Sequence, residues 1–484
     1  MPLTLRVIHK MPASVSTEVC GLPFRGPARS LRQQTRLVMR IAIIGSGISG
    51  LSCAWLLSQA HDIILYEREK RLGGHSNTVQ FAWRGQQVKV DTGFLVYNEP
   101  NYPNLTQLLD QLAVPTEDSD MSFGVSLDDG RFEYSGQSIR GLVARPRNML
   151  QLDFYRLIRD IFRFNARGTA FLTERPGDNA TLQEFLIEHR FSDPFRDGYL
   201  LPMAAAIWSS EPAAMLAFPA RSFLRFFANH GLLTVSDQPQ WRTLTERSRS
   251  YVEKLAAPLA GRIRLDNAVR RISRRVDGVE VVNDRGQVDL FDHVVLACHA
   301  DQALAAIDGP TAAEQAILGA FSYARNRAVL HRDTALMPKR SAAWASWNHL
   351  AGKGEDGRHQ TAVTYWINQL QNVDPACPVF VTLNPWRAPR PQTVIAAFDY
   401  DHPQFDHAAL AAQARLAEIQ GRDRLWFAGA HWGYGFHEDG LRSGLDVAAA
   451  LGVMPAWWTH VTPFRQVPAL PRAVTAKRPK GTYA

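Results

Sequence analysis

The sequence has few cysteines and no long apolar run. Its four cysteines, at 20, 53, 298 and 377, form no CxxC pair and follow no regular spacing in 484 residues. This pattern argues against a disulfide framework or a zinc site, and it favours a reducing compartment such as the cytoplasm. No apolar run approaches the roughly 20 residues that a membrane-spanning helix needs. Recognition-helix patterns, zinc-finger spacings and RNP-like strands are also missing, so no nucleic-acid partner is predicted.

Acidic residues are scarce at both ends of the chain, whose net charge is +8. Residues 1–38 carry six Lys or Arg and only Glu18, and no acid follows Asp446. Basic ends of this kind attract anionic partners or stay solvated, and the solvated interpretation is slightly favoured for the tail, 454–484. Segment 1–38 resembles either a transit peptide or an extension ahead of a working start at Met39. We favour the second, because Met39 leads straight into an apolar strand.

A glycine-rich motif follows that first strand. The strand Ile41–Ile44 runs into Gly45-Ser46-Gly47-Ile48-Ser49-Gly50, and an apolar helix continues to about Ala60. Gly45 permits a tight turn, Gly47 lets the backbone approach a pyrophosphate, and Gly50 lets helix and strand pack closely. The helix start offers free N–H groups and a partial positive charge to the phosphates. The motif therefore predicts a βαβ dinucleotide fold.

An acidic residue follows the second strand of this unit. Glu67 comes directly after the strand Asp62–Tyr66, 17 residues past Gly50. From there its carboxylate can accept hydrogen bonds from both hydroxyls of an adenosine ribose. An acid at this position argues against NADP.

Two further glycine-rich segments carry a family resemblance. They are Arg71-Leu72-Gly73-Gly74-His75-Ser76 and the run from Leu425 through Gly429-Ala430-His431 to Gly444, with a helix predicted over Leu445–Leu451. Together with the first motif they resemble the flavin-containing amine oxidase and phytoene desaturase superfamily. Most members have Arg after the paired glycines, where this chain has His75. The resemblance implies an α/β fold, in which a Rossmann-like FAD-binding domain of the glutathione-reductase type holds an inserted α+β substrate domain.

The same resemblance implies which residues contact the cofactor. Gly440 and Leu441 would touch the flavin ring, while the backbone at Val269 would reach the adenine. We expect FAD to be bound non-covalently, although a histidyl link through His75 stays open. The predicted contacts are Gly45, Ser46, Gly47, Ile48, Ser49, Gly50, Glu67, Arg68, Gly73, Gly74, His75, Ser76, Gly93, Phe94, Val269, Gly429, Ala430, Gly440 and Leu441.

The resemblance also predicts the domain boundaries. The FAD-binding domain is expected at 39–105, 215–300 and 395–453, and the substrate domain at 106–214 and 301–394. Residues 271–297 resemble the three-stranded insertion of such flavoproteins, followed by a strand that returns to the main sheet. Tyr155–Phe171 has the apolar spacing of a surface helix. Trp347 and Tyr365 lie in predicted strands of an aromatic-rich insert, where they floor a pocket or, as we favour, fill the core.

The closest resemblance is to a bacterial family of predicted FAD-binding proteins. It rests on Gly73-Gly74-His75 with Thr78 and on three runs, Pro202–Ser209, Asn229–Leu233 and Val381–Pro385. Its members are often encoded beside methyltransferases that resemble cyclopropane-fatty-acid synthase. The resemblance therefore implies a small apolar or lipid substrate and a lipid-modifying methyltransferase as partner.

Flavin chemistry needs little from the protein beyond placing the substrate and tuning the ring. His431, His437 and Glu438 lie in the loop expected to border the flavin and are the candidates for proton transfer, with a structural role about as favoured for either histidine. Trp208, Trp432 and Tyr434 are the candidate pocket residues. No lysine matches the one that amine oxidases of this superfamily place near the flavin, because Lys339 and Lys353 lie in polar surroundings.

Three functions stay open on the sequence. The favoured one is an FAD-dependent oxidoreductase that dehydrogenates, saturates or isomerises an apolar chain such as a fatty-acyl chain. The others are an amine oxidase and a non-catalytic flavoprotein partner of a methyltransferase. The basic tail, with Trp457 and Trp458 before it, also suggests peripheral contact with the inner face of the membrane.

Overall fold

The computed structural model describes residues 38–457, apart from 137, 176–177, 209–211, 235–237, 355–356 and 358. Segment 1–37 and the tail from 458 onward, including Trp458, lie outside the described residues. The described strands are β1 (Arg40–Ile44), β2 (Asp62–Tyr66), β3 (Thr78–Trp83), β4 (Gln86–Asp91), β5 (Tyr97–Asn98), β6 (Thr116–Ser119), β7 (Phe123–Leu127), β8 (Phe132–Ser135), β9 (Trp241–Leu244), β10 (Ile263–Arg264), β11 (Val269–Arg274), β12 (Val279–Asn283), β13 (Val288–Phe291), β14 (His293–Leu296), β15 (Tyr323–His331), β16 (Trp347–Lys353), β17 (His359–Trp366), β18 (Phe380–Leu383), β19 (Val394–Pro403) and β20 (Leu425–Phe427).

The helices connect these strands and form a layer of their own. They are α1 (Ile48–Leu57), α2 (Pro103–Gln111), α3 (Ile139–Leu142), α4 (Leu152–Glu174), α5 (Leu182–Glu188), α6 (Asp193–Phe195), α7 (Leu201–Trp208), α8 (Pro212–Leu216), α9 (Ala220–Asn229), α10 (Arg249–Ala256), α11 (Ala300–Ala306), α12 (Ala312–Leu318), α13 (Ile367–Leu370), α14 (His407–Ala414) and α15 (His437–Ala450).

A five-stranded parallel sheet forms the centre of the dinucleotide-binding part. Its order is β10-β2-β1-β14-β20, so strands from both ends of the chain lie side by side. Ile41 and Ile43 face one hydrophobic cluster, and Ala42 and Ile44 face another. Covering both faces explains why β1 is apolar throughout, as is usual for parallel strands. The predicted α/β fold is confirmed.

The last helix begins earlier than the sequence suggested. α15 starts at His437 and not at Leu445, because two glycines expected in a loop are needed inside a helix. A Cβ on Gly440 would lie 2.9 Å from Ile48 Cγ2, and one on Gly444 would lie 2.2 Å from the Ser49 carbonyl oxygen. These glycines therefore let α15 pack directly on α1.

Four further sheets complete the β structure of the described residues, and the smaller two are β3-β4 and β5-β9-β6. β11-β12-β13 form the expected three-stranded insertion, and β14 returns to the parallel sheet. A seven-stranded sheet has the order β19-β15-β18-β17-β16-β7-β8, with only β16 and β7 parallel. Because β19 pairs with β15 along nearly its whole length, this sheet extends past the domain boundary predicted at 395.

A helical layer built from α4, α5, α7 and α9 covers one side of the cavity described below. The predicted helix Tyr155–Phe171 lies within α4, and its inner side buries Leu157, Phe164 and Phe171. Phe223 and Phe227 of α9 meet that inner side in one aromatic cluster. α9 begins at residue 220, so part of the segment expected in the FAD-binding domain belongs to this layer.

Trp457 does not face solvent. Its side chain is only 7% exposed and stacks on Trp55 of α1, with ring centroids 6.5 Å apart. The proposed insertion of this residue into a membrane is therefore wrong, since burial in the core removes it from the surface. In the described part of the chain, no helix is long and apolar enough to cross a membrane.

Candidate active site

One large cavity lies at the carboxyl ends of the parallel strands. It measures about 1690 Å³, and residues just after β1, β2, β14 and β20 line it. Ligands of open α/β sheets bind at this edge, where the strand order switches. Pockets for single small ligands are about 300–1,000 Å³. The space therefore suits a dinucleotide and a substrate together.

The first glycine motif forms the floor of this cavity. Gly45 has a φ of +105°, and a Cβ there would lie 2.6 Å from the Ala297 carbonyl oxygen. A Cβ on Gly50 would lie 1.9 Å from the Gly45 oxygen, so this residue sets the packing of helix on strand. A Cβ on Gly47, in contrast, would meet no protein atom within 4 Å and would project into the cavity. A pyrophosphate fits in the space that the missing side chain leaves at the start of α1.

Glu67 is positioned by the same motif. It is buried, and its Oε2 accepts hydrogen bonds from the Ser46 backbone N–H at 2.9 Å and the Ser46 hydroxyl at 2.5 Å. Its Oε1 accepts one from the Glu69 backbone N–H at 2.8 Å. Three of the roughly four acceptor positions of the carboxylate are thus used, and Oε1 keeps one that can accept a ribose hydroxyl. The geometry fits the predicted ribose-binding role.

The paired glycines bring the next segment against the motif. The Gly73 N–H donates to the Ser46 carbonyl at 3.0 Å, and the Phe94 N–H donates to the His75 carbonyl at 3.0 Å. The His75 ring stacks on Tyr400 with centroids 4.9 Å apart. Its Nε2 is buried with no hydrogen-bond partner among the described residues. A buried polar atom without a partner is costly, so His75 fits a ligand that carries hydrogen-bonding groups.

The structure gathers most of the predicted cofactor contacts around this one cavity. Those that line it are Gly45, Ser46, Gly47, Ile48, Ser49, Glu67, Arg68, Gly73, Gly74, His75, Gly93, Phe94, Val269, Gly429 and Ala430. Their individual contacts with FAD stay predictions.

Four predicted contacts lie behind the cavity wall. Gly50 and Gly440 meet neighbouring backbone and side chains, and Leu441 is fully buried in the core beside α1. Ser76 bonds through its hydroxyl to the Tyr251 hydroxyl. None of these four residues lines the cavity, so the geometry lends no support to their direct contacts with FAD, which stay predictions.

His431 and His437 both line the cavity, as expected. His437, the first residue of α15, stacks on Phe94 with centroids 3.9 Å apart, and its Nε2 lies 2.8 Å from the Tyr251 hydroxyl. His431 packs edge-on against Phe321. Burial lowers the pKa of each histidine to about 3, so both rings are neutral at pH 7.

Glu438 has a structural role. The prediction that it transfers protons is therefore corrected. Its carboxylate accepts hydrogen bonds from the backbone N–H groups of Asn104 and Leu105, at 2.9 and 3.0 Å, and from the Asn104 amide at 2.7 Å. It therefore caps the start of α2, on the side of α15 away from the cavity. Burial raises the pKa of Glu438 to about 7, while the three donors favour its charged form.

The three aromatic residues expected in the pocket lie outside the cavity lining. Trp208 packs among Phe218, Phe223 and Phe226 in the helical layer. Tyr434 belongs to the same cluster, and Trp432 is buried beside α12 and α14. The prediction that they line the pocket is therefore wrong, because each one packs within an apolar cluster.

Other side chains form the apolar wall that the sequence did not predict. They are Met203, Ile207, Phe226, Leu232, Trp241, Trp347, Tyr365, Leu383, Phe398 and Tyr400. Trp347 and Tyr365 meet both expectations, because they line the cavity and also belong to, or pack against, a hydrophobic core cluster. In β19 the sequence did carry a signal, which is the alternation of ring-bearing residues. Alternate residues of a strand share one face, and Phe398, Tyr400 and His402 all line the cavity.

Comparison with known proteins agrees with this geometry. The family model for flavin containing amine oxidoreductase matches residues 48–320, more than half of the chain. A protein named as a flavin-containing monoamine oxidase, AofH of Mycobacterium tuberculosis, is 27% identical over 261 residues, which cover 51% of this chain and 54% of AofH. The 15-cis-phytoene desaturase of Synechococcus elongatus is 28% identical over 188 residues, covering 36% and 38% of the two chains. The chain thus matches about half the length, or less, of these relatives.

Solved structures of low sequence identity share the fold. A fatty acid isomerase from P. acnes that produces CLA has a TM-score of 0.59 at 17% identity, over 86% of this chain and 99% of the isomerase. The cyclohexylamine oxidase of Brevibacterium oxydans has a TM-score of 0.58 at 16% identity, over 85% and 98%. With the glycine cradle, Glu67 and the family match, these findings lead to one conclusion. The chain belongs to the flavin-containing amine oxidoreductase family.

Proposed function

We propose that the protein is an FAD-dependent oxidoreductase that acts on an apolar chain, such as a fatty-acyl chain, by dehydrogenation, saturation or isomerisation of a C=C bond. The observation that carries the proposal is the apolar wall opposite the glycine motif. Met203 and Ile207 come from α7, Phe226 from α9 and Leu383 from β18. A surface of this kind gains free energy by removing a hydrocarbon from water, at about 25 cal/mol per Å².

Three carboxylates that could bind an amine, those of Asp120, Asp399 and Asp401, line the cavity, and the first two are already engaged by other groups. Of the lysines among the described residues, Lys70 lines the cavity, and it lies beside Glu67 at the nucleotide end. Lys339 pairs with Asp129 at 2.6 Å on the surface. Asp120 lines the cavity, but its Oδ1 already accepts bonds from Ser122 and Ser346. A substrate ammonium group would therefore compete with hydroxyls for that carboxylate.

Bound FAD would supply the acceptor or donor of a hydride. The chain's own part is to hold the hydrocarbon and to receive or return the proton of the neighbouring carbon. His437 suits the second task, because its ring is neutral, lines the cavity and is held by the Tyr251 hydroxyl. With its pKa lowered to about 3, the ring takes up a proton only when negative charge beside it raises that pKa, and Tyr251 limits the directions in which the ring points.

The test is anaerobic incubation of the flavoprotein with saturated and unsaturated fatty acids. The flavin absorbance and the double bonds of the product are followed together. Loss of absorbance with a new C=C bond indicates dehydrogenation, and a moved double bond without net loss indicates isomerisation. Saturation is read after the flavin has been reduced chemically, as recovery of its absorbance. Peroxide release with amines in air, and no reaction with any fatty acid, would overturn the proposal in favour of an amine oxidase.

A matched pair of variants ties the activity to the wall. Ile207→Trp fills the cavity at its apolar side, whereas Ile187→Trp adds the same bulk at a site that is 67% exposed. We expect the first variant to keep FAD and lose turnover of the hydrocarbon, and the second to keep both. Equal activity of the two would show that the substrate does not use this wall.

The methyltransferase partner implied by the family resemblance is part of the same proposal. A substrate passed between two enzymes that work on acyl chains gives the association a chemical reason. Co-purification of the two proteins from one cell, with and without the fatty acid, would test it. No complex under either condition would remove the partner and leave the oxidoreductase chemistry intact.

A further inference from the structure

A cluster of apolar side chains is exposed at the beginning of α4. It consists of Met149, Leu150, Leu152, Tyr155 and Phe162, of which Leu150 is 86% and Leu152 is 74% exposed. We call these five residues the α4 patch. Single exposed apolar residues are common, but several within one short segment mark an interaction site.

α4 has a buried side in addition to the exposed patch. The inner side of the helix carries Phe154, Leu157, Phe164 and Phe171, all buried. Leu152, Tyr155 and Phe162 lie on the outer side, where a helix facing only water would carry polar residues. The outer side therefore has apolar residues that the fold of the single chain does not use.

Arginine residues surround the patch. Arg156, Arg159 and Arg167 are exposed along the outer side of α4, and Arg145 and Arg147 lie just before it. Two of these arginines are balanced, because Arg156 pairs with Asp153 and Arg159 with the buried Asp160, each at 3.0 Å. Among the described residues no carboxylate forms an ion pair with Arg145 or Arg147. The surface thus combines protruding apolar groups with positive charge.

We propose that the α4 patch docks on an anionic lipid surface. Leu150 and Leu152 enter the acyl boundary, Tyr155 lies at the headgroup level, and Arg145 and Arg147 contact lipid phosphates. α4 lies along the surface and does not span it, since its inner side belongs to the protein core. This docking goes beyond the proposed reaction and does not depend on which substrate is used.

Charge favours lipid over a second copy of the chain. In a two-fold dimer the same patch faces itself, so the arginines around one patch would meet those around the other. Like charges brought together in this way oppose association. An anionic headgroup layer offers charge of the opposite sign over the whole area.

The position of α4 gives the docking a use. Its inner side packs on α9, and Phe226 of α9 lines the cavity. α4 thus carries the patch on its outer side and contacts, on its inner side, the helix α9 that forms part of the apolar wall. A membrane under the patch would place a source of hydrocarbon chains close to that wall.

The test is sedimentation of the full-length FAD-bound protein with vesicles. One set is phosphatidylcholine alone, and the other is an equal mixture of phosphatidylcholine and phosphatidylglycerol. We expect binding to the mixed vesicles only, and a decrease with added salt. Leu150→Ser with Leu152→Ser should lower the partition coefficient tenfold or more, because two buried apolar groups are lost. Arg145→Gln with Arg147→Gln should lower it about tenfold to thirtyfold, the factor expected for two positive charges.

The control variants place the same kinds of change on the sheet formed by β11, β12 and β13 and on its turns. They are Val276→Ser with Val288→Ser, at exposed apolar sites, and Arg271→Gln with Arg285→Gln. These should bind like the original chain. The basic tail is present in every variant, so its contribution is constant. FAD content and substrate turnover in detergent are measured in parallel, so that a failure of docking is distinguished from a failure of the reaction.

Two results would overturn the proposal. One is equal vesicle binding by the patch variants and the controls, or no vesicle binding by any of them. The other is a dimer in the absence of lipid that Leu150→Ser with Leu152→Ser converts to monomer, which would show that protein covers the patch.

Discussion

Replacing Gly47 with valine should abolish FAD binding without harming the fold. Gly47 precedes α1 with φ −64° and ψ 178°, an extended conformation that valine adopts without strain. A Cβ there meets no protein atom within 4 Å, so the new side chain extends into the cavity and not into the core. It occupies the space at the helix start where the pyrophosphate fits.

The expected loss follows from the hydrogen bonds that the pyrophosphate would give up. A hydrogen bond to a charged group is worth about 1.5–3 kcal/mol. Losing two at the helix start costs about 3–6 kcal/mol, which raises the Kd for FAD about a hundredfold to ten-thousandfold. Gly47→Ala, with one methyl group, should lie between the original chain and valine.

Gly50→Ala is the matched comparison within the same motif. Its Cβ would lie 1.9 Å from the Gly45 carbonyl oxygen, so it should destabilise the protein itself. The assay measures FAD affinity by titration of the apoprotein and thermal unfolding of each apoprotein, because bound ligand alone raises Tm. Normal FAD affinity of Gly47→Val would refute the reasoning and place the pyrophosphate elsewhere. A low apoprotein Tm for Gly47→Val would show that the motif is structural at this position too.

Four further outcomes follow from the site. Glu67→Ala should weaken FAD binding by about 1.5–3 kcal/mol in a titration, since one charged partner of the ribose is lost, and an unchanged Kd would contradict its role. Glu438→Gln should lower Tm, because a cap of α2 is weakened, while flavin reduction by substrate keeps its rate; the opposite result would restore Glu438 as a catalytic residue. His349 is buried, and burial lowers its pKa to about 4. Its unfolded form gains a proton near pH 6.5 and its folded form only near pH 4, so stability is lost as pH falls through this window, by about 2 kcal/mol between pH 7 and pH 5. Denaturant unfolding of His349→Gln should show a correspondingly smaller loss, and an equal loss would mean that this ring does not contribute. Acid precipitation should release the flavin into the supernatant, and flavin that stays in the pellet would indicate a covalent link, for which His75 is the candidate.

The dinucleotide-binding part was predictable because its signals are local. Gly45, Gly47 and Gly50 each occupy the position that the motif requires, and Glu67 ends the neighbouring strand. The backbone conformation of a turn and the start of a helix depend on residues close in sequence. Such features can therefore be predicted from the sequence without knowledge of tertiary contacts.

The errors concern residues whose roles depend on distant parts of the chain. Glycines usually interrupt helices, yet Gly440 and Gly444 lie inside α15, because α1 approaches there. Glu438 caps a helix more than 300 positions earlier, and nothing near it in the sequence indicates that partner. Trp208 was expected to line the pocket but packs in the helical layer, because hydrophobicity does not specify whether a side chain faces a cavity or a neighbouring cluster.

The order of strands in the parallel sheet also governs when the site can form during synthesis. β14 pairs with β1 on one side and with β20 on the other, and the cavity needs Gly45 and Gly429, which are 384 positions apart. At about 5–20 residues per second, translation covers that interval in about 20–80 s. β14 ends 129 positions before β20 begins (425 − 296), so for about 6–26 s of that time it has an unpaired edge, which is a template for association between nascent chains. The flavin site is thus among the last features completed on the ribosome, and a chain that stops before β20 retains the first glycine motif but has an open sheet edge.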